Sequence, residues 1–231
     1  MSKFYVTVDP KEFKEEVKFE SNEINLEATG EYILGVQRLS DFVGVIDGRD
    51  PNALFDNQNI RSSADLLLAR IPVGKDDVRD RPRDIAITND GSRAYITLEN
   101  TGRIALIDPM VLQQVDINPQ TEDVVDLINL GADASPRSIV IDSRDQYAYI
   151  ADSRIGVIYV VDVDSNSDKY HQVVEKIQVK PAPYGLREMA ISSDGRRLFV
   201  TAPSTVSSYT LDLQKSQIIV DRNLQCHSNR R

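Results

Sequence analysis

The 231-residue chain has no tryptophan, one cysteine and two histidines. The lone Cys226 rules out an intramolecular disulfide. With only His171 and His227 to join it, no zinc-ligand set can be assembled. A histidine-based triad would have to use one of those two residues, and no nucleophile-elbow sequence accompanies either. Cys226 reads as a small core residue rather than a reactive thiol. There is no glycine-rich phosphate loop, and no cofactor is implied. Basic residues are outnumbered, 27 Lys and Arg against 36 Asp and Glu, for a net charge of −9. A nucleic-acid partner needs a basic stripe, so this balance argues against one and fits an acidic, soluble surface. No apolar run approaches the roughly 18–20 residues that span a membrane. The first ten residues lack the apolar run of a secretion signal. These absences leave the compartment open.

What the chain does have is an internal repeat. Arg83-Asp84-Ile85-Ala86-Ile87-Thr88-Asn89-Asp90-Gly91-Ser92-Arg93-Ala94-Tyr95-Ile96-Thr97 is its best-formed copy. Arg137–Asp142 with Tyr147–Ala151, and Arg187–Gly195 with Leu198–Thr201, align to it without gaps. A weaker copy runs from Glu23 through Gly30 to Leu34. Each copy reaches a strand ending in aspartate, at Asp47, Asp108, Asp162 and Asp212, spaced 61, 54 and 50 residues apart. A further strand is expected after each, at 66–71, 124–130, 173–179 and 217–220. Short apolar runs rich in β-branched and aromatic residues are strands. Asp90-Gly91 and Asp194-Gly195 fall where a tight hairpin needs positive φ. Four strands per repeat make one antiparallel sheet, and such sheets bury their faces by stacking radially. The fold class is therefore all-β, a propeller of four-stranded antiparallel blades.

The repeat divides the chain into blades at 21–75, 76–131, 132–181 and 182–221. Val6–Asp9 and Glu16–Phe19 match the outer strands of a blade, so residues 1–20 read as part of another. Lys11–Lys18 allows a turn of helix or a hairpin connection. Arg222–His227 matches an innermost strand, so 222–231 reads as a second part-blade. Two arrangements follow: a closed five-bladed ring, or a piece of a longer propeller with open blade edges that pair with a neighbour.

The repeat resembles the YVTN-type β-propeller family, whose fold is related to lactonase-like propellers and to the propeller of haem-d nitrite reductases. The resemblance rests on Pro82 and Pro136, Asn89-Asp90-Gly91, Ser193-Asp194-Gly195, Tyr95-Ile96-Thr97, Phe199-Val200-Thr201, Ile107-Asp108 and Val161-Asp162. It covers the chain from about residue 20. Leu98, Asp152 and Ala202 stand where the tetrapeptide has asparagine. No Cys-x-x-Cys-His is present, so a haem role has no support. The resemblance implies a scaffold found in surface proteins, binding proteins and a few enzymes, often exported. The leading function is a non-catalytic scaffold binding a protein or a small anionic ligand. The alternatives are a lactonase-like enzyme and a structural subunit of a larger assembly.

Arg83, Arg137 and Arg187 share one repeat position, with Asn22 and Arg222 in the outlying copies. In a propeller such positions ring one mouth of the channel, where guanidinium groups hold carboxylate or phosphate bidentately. The ordinary structural reading is ion pairing with Asp84, Glu188 or other nearby acids. Asp162, Asp164, Asn166 and Asp168 alternate as calcium-loop ligands do. Ser167 and Val173, however, replace the glycine and the bidentate glutamate of such a loop, so an acidic turn is the simpler reading and no metal is expected. The long polar stretch 49–65 and the charged linker 74–83 are further surfaces that a partner could use.

Overall fold

The computed structural model describes residues 4–5, 24–28, 32–37, 40–47, 67–75, 80–121, 125–180, 185–203, 208–213 and 217–221. They contain strands and turns and no helix. The chain divides into two compact units, 1–133 and 134–231.

In the first unit, β2 (Ile24–Ala28), β3 (Tyr32–Gln37), β4 (Phe42–Asp47) and β5 (Leu67–Pro72) form the first antiparallel meander. β1 (Phe4–Tyr5) adds to its inner side, Phe4 opposite Leu26 and Tyr5 opposite Asn25. This is the described part of segment 1–20. Val6–Asp9, Lys11–Lys18, Glu16–Phe19, Arg222–His227 and the whole 49–65 stretch lie outside the described residues.

The second sheet contains β6 (Pro82–Ile87), β7 (Ala94–Leu98) and β8 (Arg103–Asp108). Its outer strand departs from expectation. β9 (Gln113–Val115) pairs with the Leu106–Asp108 end of β8, and β10 (Ile128–Asn129) pairs with the Arg103–Ile104 end. The interruption is built by two aspartates. The Asp116 carboxylate accepts from the N–H groups of Asn118 (2.9 Å) and Asp126 (3.0 Å), and Asp126 accepts from the Thr121 hydroxyl (2.7 Å). The two sheets share a core that includes Leu34, Val43, Val45, Ile85, Ile96 and Ile107, all at most 1% exposed. β6 and β7 are buried along their whole length, as strands covered on both faces must be.

In the second unit, β11 (Pro136–Ile141), β12 (Tyr147–Asp152), β13 (Val157–Asp162) and β14 (Val173–Gln178) form the third sheet. β15 (Met189–Ile191), β16 (Arg197–Thr201), β17 (Ser208–Asp212) and β18 (Gln217–Asp221) form the fourth. Tyr149, Ala151, Ile158 and Val160 of the third sheet pack on Met189, Leu198, Val200 and Leu211 of the fourth. Each sheet is an up-and-down meander with its first strand innermost, which is the blade of a β-propeller.

The first hairpin of each blade shows how the repeat is written. Gly91 (φ +74°) and Gly195 (φ +67°) supply the left-handed residue, and their N–H groups reach back to the carbonyls of Thr88 and Ser192. The Thr88 and Ser192 hydroxyls bind Asp90 and Asp194, both at 2.6 Å. These bonds hold both aspartates below the usual carboxylate range. The third sheet makes the same turn without glycine. Asp145 takes φ +55°, and Asp142, at the Thr88 position, accepts directly from the N–H groups of Arg144 and Gln146.

Candidate functional site

Arg83 and Arg137 sit on bulges. The register passes from Pro82 opposite Leu98 to Ile85 opposite Ile96, and from Pro136 opposite Asp152 to Ser138 opposite Ala151. The inner strand carries one extra residue in each case, which turns a side chain off the ladder. In the second sheet Thr97 fills the gap: its hydroxyl accepts from the Asp84 N–H (2.9 Å) and donates to the Asp84 carbonyl (3.3 Å). Thr201 does the same for Glu188, at 3.1 and 3.4 Å. In the third sheet Ala151 cannot do this, so Ser138 joins the ladder. The Ser138 hydroxyl accepts the Met189 N–H at 3.3 Å and ties the inner strands β11 and β15 together.

The arginines are held in different ways. Arg83 is 5% exposed and engaged by its surroundings. In the other unit, Arg137 Nε lies 3.5 Å from Glu188 Oε1. Arg187 Nη1 donates to the carbonyls of Ser153 and Leu186, both at 3.2 Å. The structure thus brings Arg137 to Glu188, the residue next to Arg187. Asn22 and Arg222 lie outside the described residues.

Several carboxylates at both ends of the third sheet serve as acceptors for backbone turns. Asp152 is fully buried; it accepts from the N–H groups of Arg154 (2.7 Å), Ile155 (2.9 Å) and Ser135 (2.8 Å). In the turn after β13, Asp162 accepts from the Asp164 N–H and the Ser167 hydroxyl, while Asp164 accepts from Asn166. Their oxygens face their own loop, and Asn166 and Asp168 close no ligand set with them. No group of three Asp, Glu, His or Cys side chains suited to a metal ion occurs among the described residues. His171 is a turn residue with φ +64°; its N–H donates to the Asp162 carbonyl and its ring stacks on Tyr170. His227 and Cys226 lie outside the described residues.

One concave feature was not visible in the sequence. A cleft of about 340 Å³ opens where the core between the third and fourth sheets reaches the surface. This is the end of the blades away from Arg137, because Tyr147 begins β12 and Asp212 ends β17. Tyr149, Val160 and Glu175 form one row across three strands and line it, with Tyr147, Leu211 and Asp212. Tyr149 is 7% exposed, and its hydroxyl has no hydrogen-bond partner among the described residues. Its pKa is pushed up to about 12, first by burial and then by the negative field of Asp142, with Tyr147 and Glu175 adding to it and Arg144 opposing. The phenol therefore keeps its proton near neutral pH. The sequence signal was the Tyr-x-Tyr pair on one face of a strand. Only the pairing of sheets shows what that face meets.

No family model matches the chain, and no curated protein matches it. Among solved structures it is similar to hydrazine synthase from Kuenenia stuttgartiensis, with a TM-score of 0.59 and 19% identity over 83% of this chain and 45% of that one. It is also similar to virginiamycin B lyase from Staphylococcus aureus, with a TM-score of 0.61 and 12% identity over 88% of this chain and 55% of that one. Both are propeller-type proteins, and the likeness at this identity is one of fold. The chain spans about half the length of each.

Proposed function

We propose that this chain is a non-catalytic binding module, a propeller scaffold of YVTN-like repeats that presents surfaces to a protein or small ligand. The observation that carries the reading is the destination of its carboxylates. Asp142, Asp162 and Asp164 spend their oxygens on backbone and hydroxyl donors of their own loops, and Asp152 spends its own on the turn that follows it and on the Ser135 N–H. A carboxylate consumed in this way holds a surface in shape and is not poised to move protons. Tyr95-Ile96-Thr97 and Phe199-Val200-Thr201 support the repeat assignment, since their threonines play one structural part in two blades.

Within this reading, Arg137 and Arg187 are the place for a small anion, with Glu188 as the group it displaces. Calorimetric titration with citrate, beside an assay of lactone and aryl-ester hydrolysis, tests both parts. The reading expects citrate binding that weakens about tenfold in Arg137→Ala and Arg187→Ala, with hydrolysis at the buffer rate. Catalytic turnover of a lactone would overturn the non-catalytic reading. Citrate heats unchanged in both variants would return the arginines to a structural role.

A further inference from the structure

We propose that the cleft between the third and fourth sheets binds a small organic ammonium compound, its cation between Glu175 and Asp212 and its apolar part against Tyr147, Tyr149 and Leu211. The inference goes beyond the scaffold reading and does not use the arginine end of the blades.

Three observations carry it. The first is shape: about 340 Å³ is at the small end of ligand pockets, and aromatic and aliphatic side chains form its walls. The second is charge, which follows from register. Glu175 lies opposite Val160, which lies opposite Tyr149, so the carboxylate and the phenol share a face. The next residue, Lys176, points to the other face, where its ammonium sits 5.1 Å from the Tyr159 ring. The strand thus turns its anion into the cleft and its cation out of it. The third is Tyr149, a residue only 7% exposed, which lines the cleft and whose hydroxyl has no hydrogen-bond partner among the described residues. A donor in the wall of a cleft with no protein partner is a group that a ligand can take over from water.

Together these features fit an amphipathic cation. Carboxylates attract the ammonium, and phenol rings receive it through their negative faces. The aliphatic floor takes the carbon skeleton. Asp212 already has a partner within the chain and lies opposite Arg197, so Glu175 supplies most of the attraction; an anion would meet that carboxylate, and a neutral compound would gain only the floor.

The test is a titration of the whole chain with phenethylammonium chloride, followed by calorimetry and by tyrosine emission, which no tryptophan obscures. Its neutral and anionic counterparts, 2-phenylethanol and phenylacetate, are run in parallel. The ammonium compound should bind at least about tenfold more tightly than either. Glu175→Gln, on an exposed outer strand, should weaken it about tenfold, Asp212→Asn by less, and Arg187→Ala not at all. Added salt should weaken binding. Equal binding of all three compounds, or unchanged affinity in Glu175→Gln with native circular dichroism, would overturn the proposal. So would binding of a Lys-rich peptide alone, which would make the cleft part of a protein interface. Loss of citrate binding at the arginines has no bearing on any of these outcomes.

Discussion

The second and third sheets solve the same problem with the buried carboxylate on opposite sides. In the second, the second strand ends in Leu98, and Asp80 in the incoming connection supplies the carboxylate; it is 1% exposed and accepts the Lys75 N–H at 2.9 Å. In the third, the connection carries Ala134, and Asp152 at the strand end supplies the carboxylate, accepting three N–H groups. The hairpins trade in the same way, Thr88 with Asp90 in one sheet and Asp142 alone in the other. The buried carboxylate thus changes its place in the chain from one sheet to the other, and the donors it meets change with it. This is one reason the motif looks degenerate by residue.

The largest expected effect comes from removing the third sheet's acceptor. Asp152→Ala strands the buried Ser135 N–H, at about 1–3 kcal/mol, and removes the part-buried bonds of Arg154 and Ile155, at about 1 kcal/mol each. The variant should lose at least about 3 kcal/mol in urea unfolding, while Leu98→Ala in the second sheet should cost about 2–5 kcal/mol through its cavity instead. A gain in stability on Asp152→Ala would break the comparison.

Next come two glycines with the same backbone sign. Gly185 (φ +72°) faces the Ser153 carbonyl, which a Cβ would strike, whereas Gly91 (φ +74°) faces open space. Gly91→Ala should cost about 1–2 kcal/mol for its left-handed conformation alone. Gly185→Ala should cost clearly more, as read by thermal unfolding of the two variants side by side.

Thr97→Val removes both hydrogen bonds of a buried bulge and keeps the shape. It should cost about 1–3 kcal/mol. The smallest effect is at the exposed turn. Asp90 is held below its ordinary value, chiefly by the Thr88 hydroxyl. A carboxylate depressed in the fold stabilises it above the unfolded pKa of about 3.9, and that contribution fades as pH falls through the lower folded value. Thr88→Val should therefore be destabilised by a few tenths of a kcal/mol at pH 7, an exposed-pair magnitude. The gap to the parent should shrink below about pH 4 in acid titrations of unfolding.

Most strands were legible because β-branched runs, Asp-Gly turns and terminal aspartates are local signals. The outer strand of the second sheet was not. The sequence pattern placed it at 124–130, and the Asp116–Asp126 contacts split it between Gln113–Val115 and Ile128–Asn129. Arg83 shared a motif position with Arg137, but the depth of its burial depends on how the first and second sheets pack. The cleft was illegible for the same reason, since Tyr149 and Leu211 meet only through the packing of two blades. Local chemistry gave the elements, and tertiary packing decided which polar groups stayed open.

Asp142, Asp152 and Asp162 of the third sheet are spent on architecture. Amide hydrogen exchange of the parent and Asp152→Ala by NMR tests this most directly. The account predicts slow exchange at Ser135, Arg154 and Ile155 in the parent, and loss of that protection at these three amides when Asp152 is removed. Rapid exchange at all three in the parent would contradict it, and would mean that the Asp152 carboxylate is free for other chemistry.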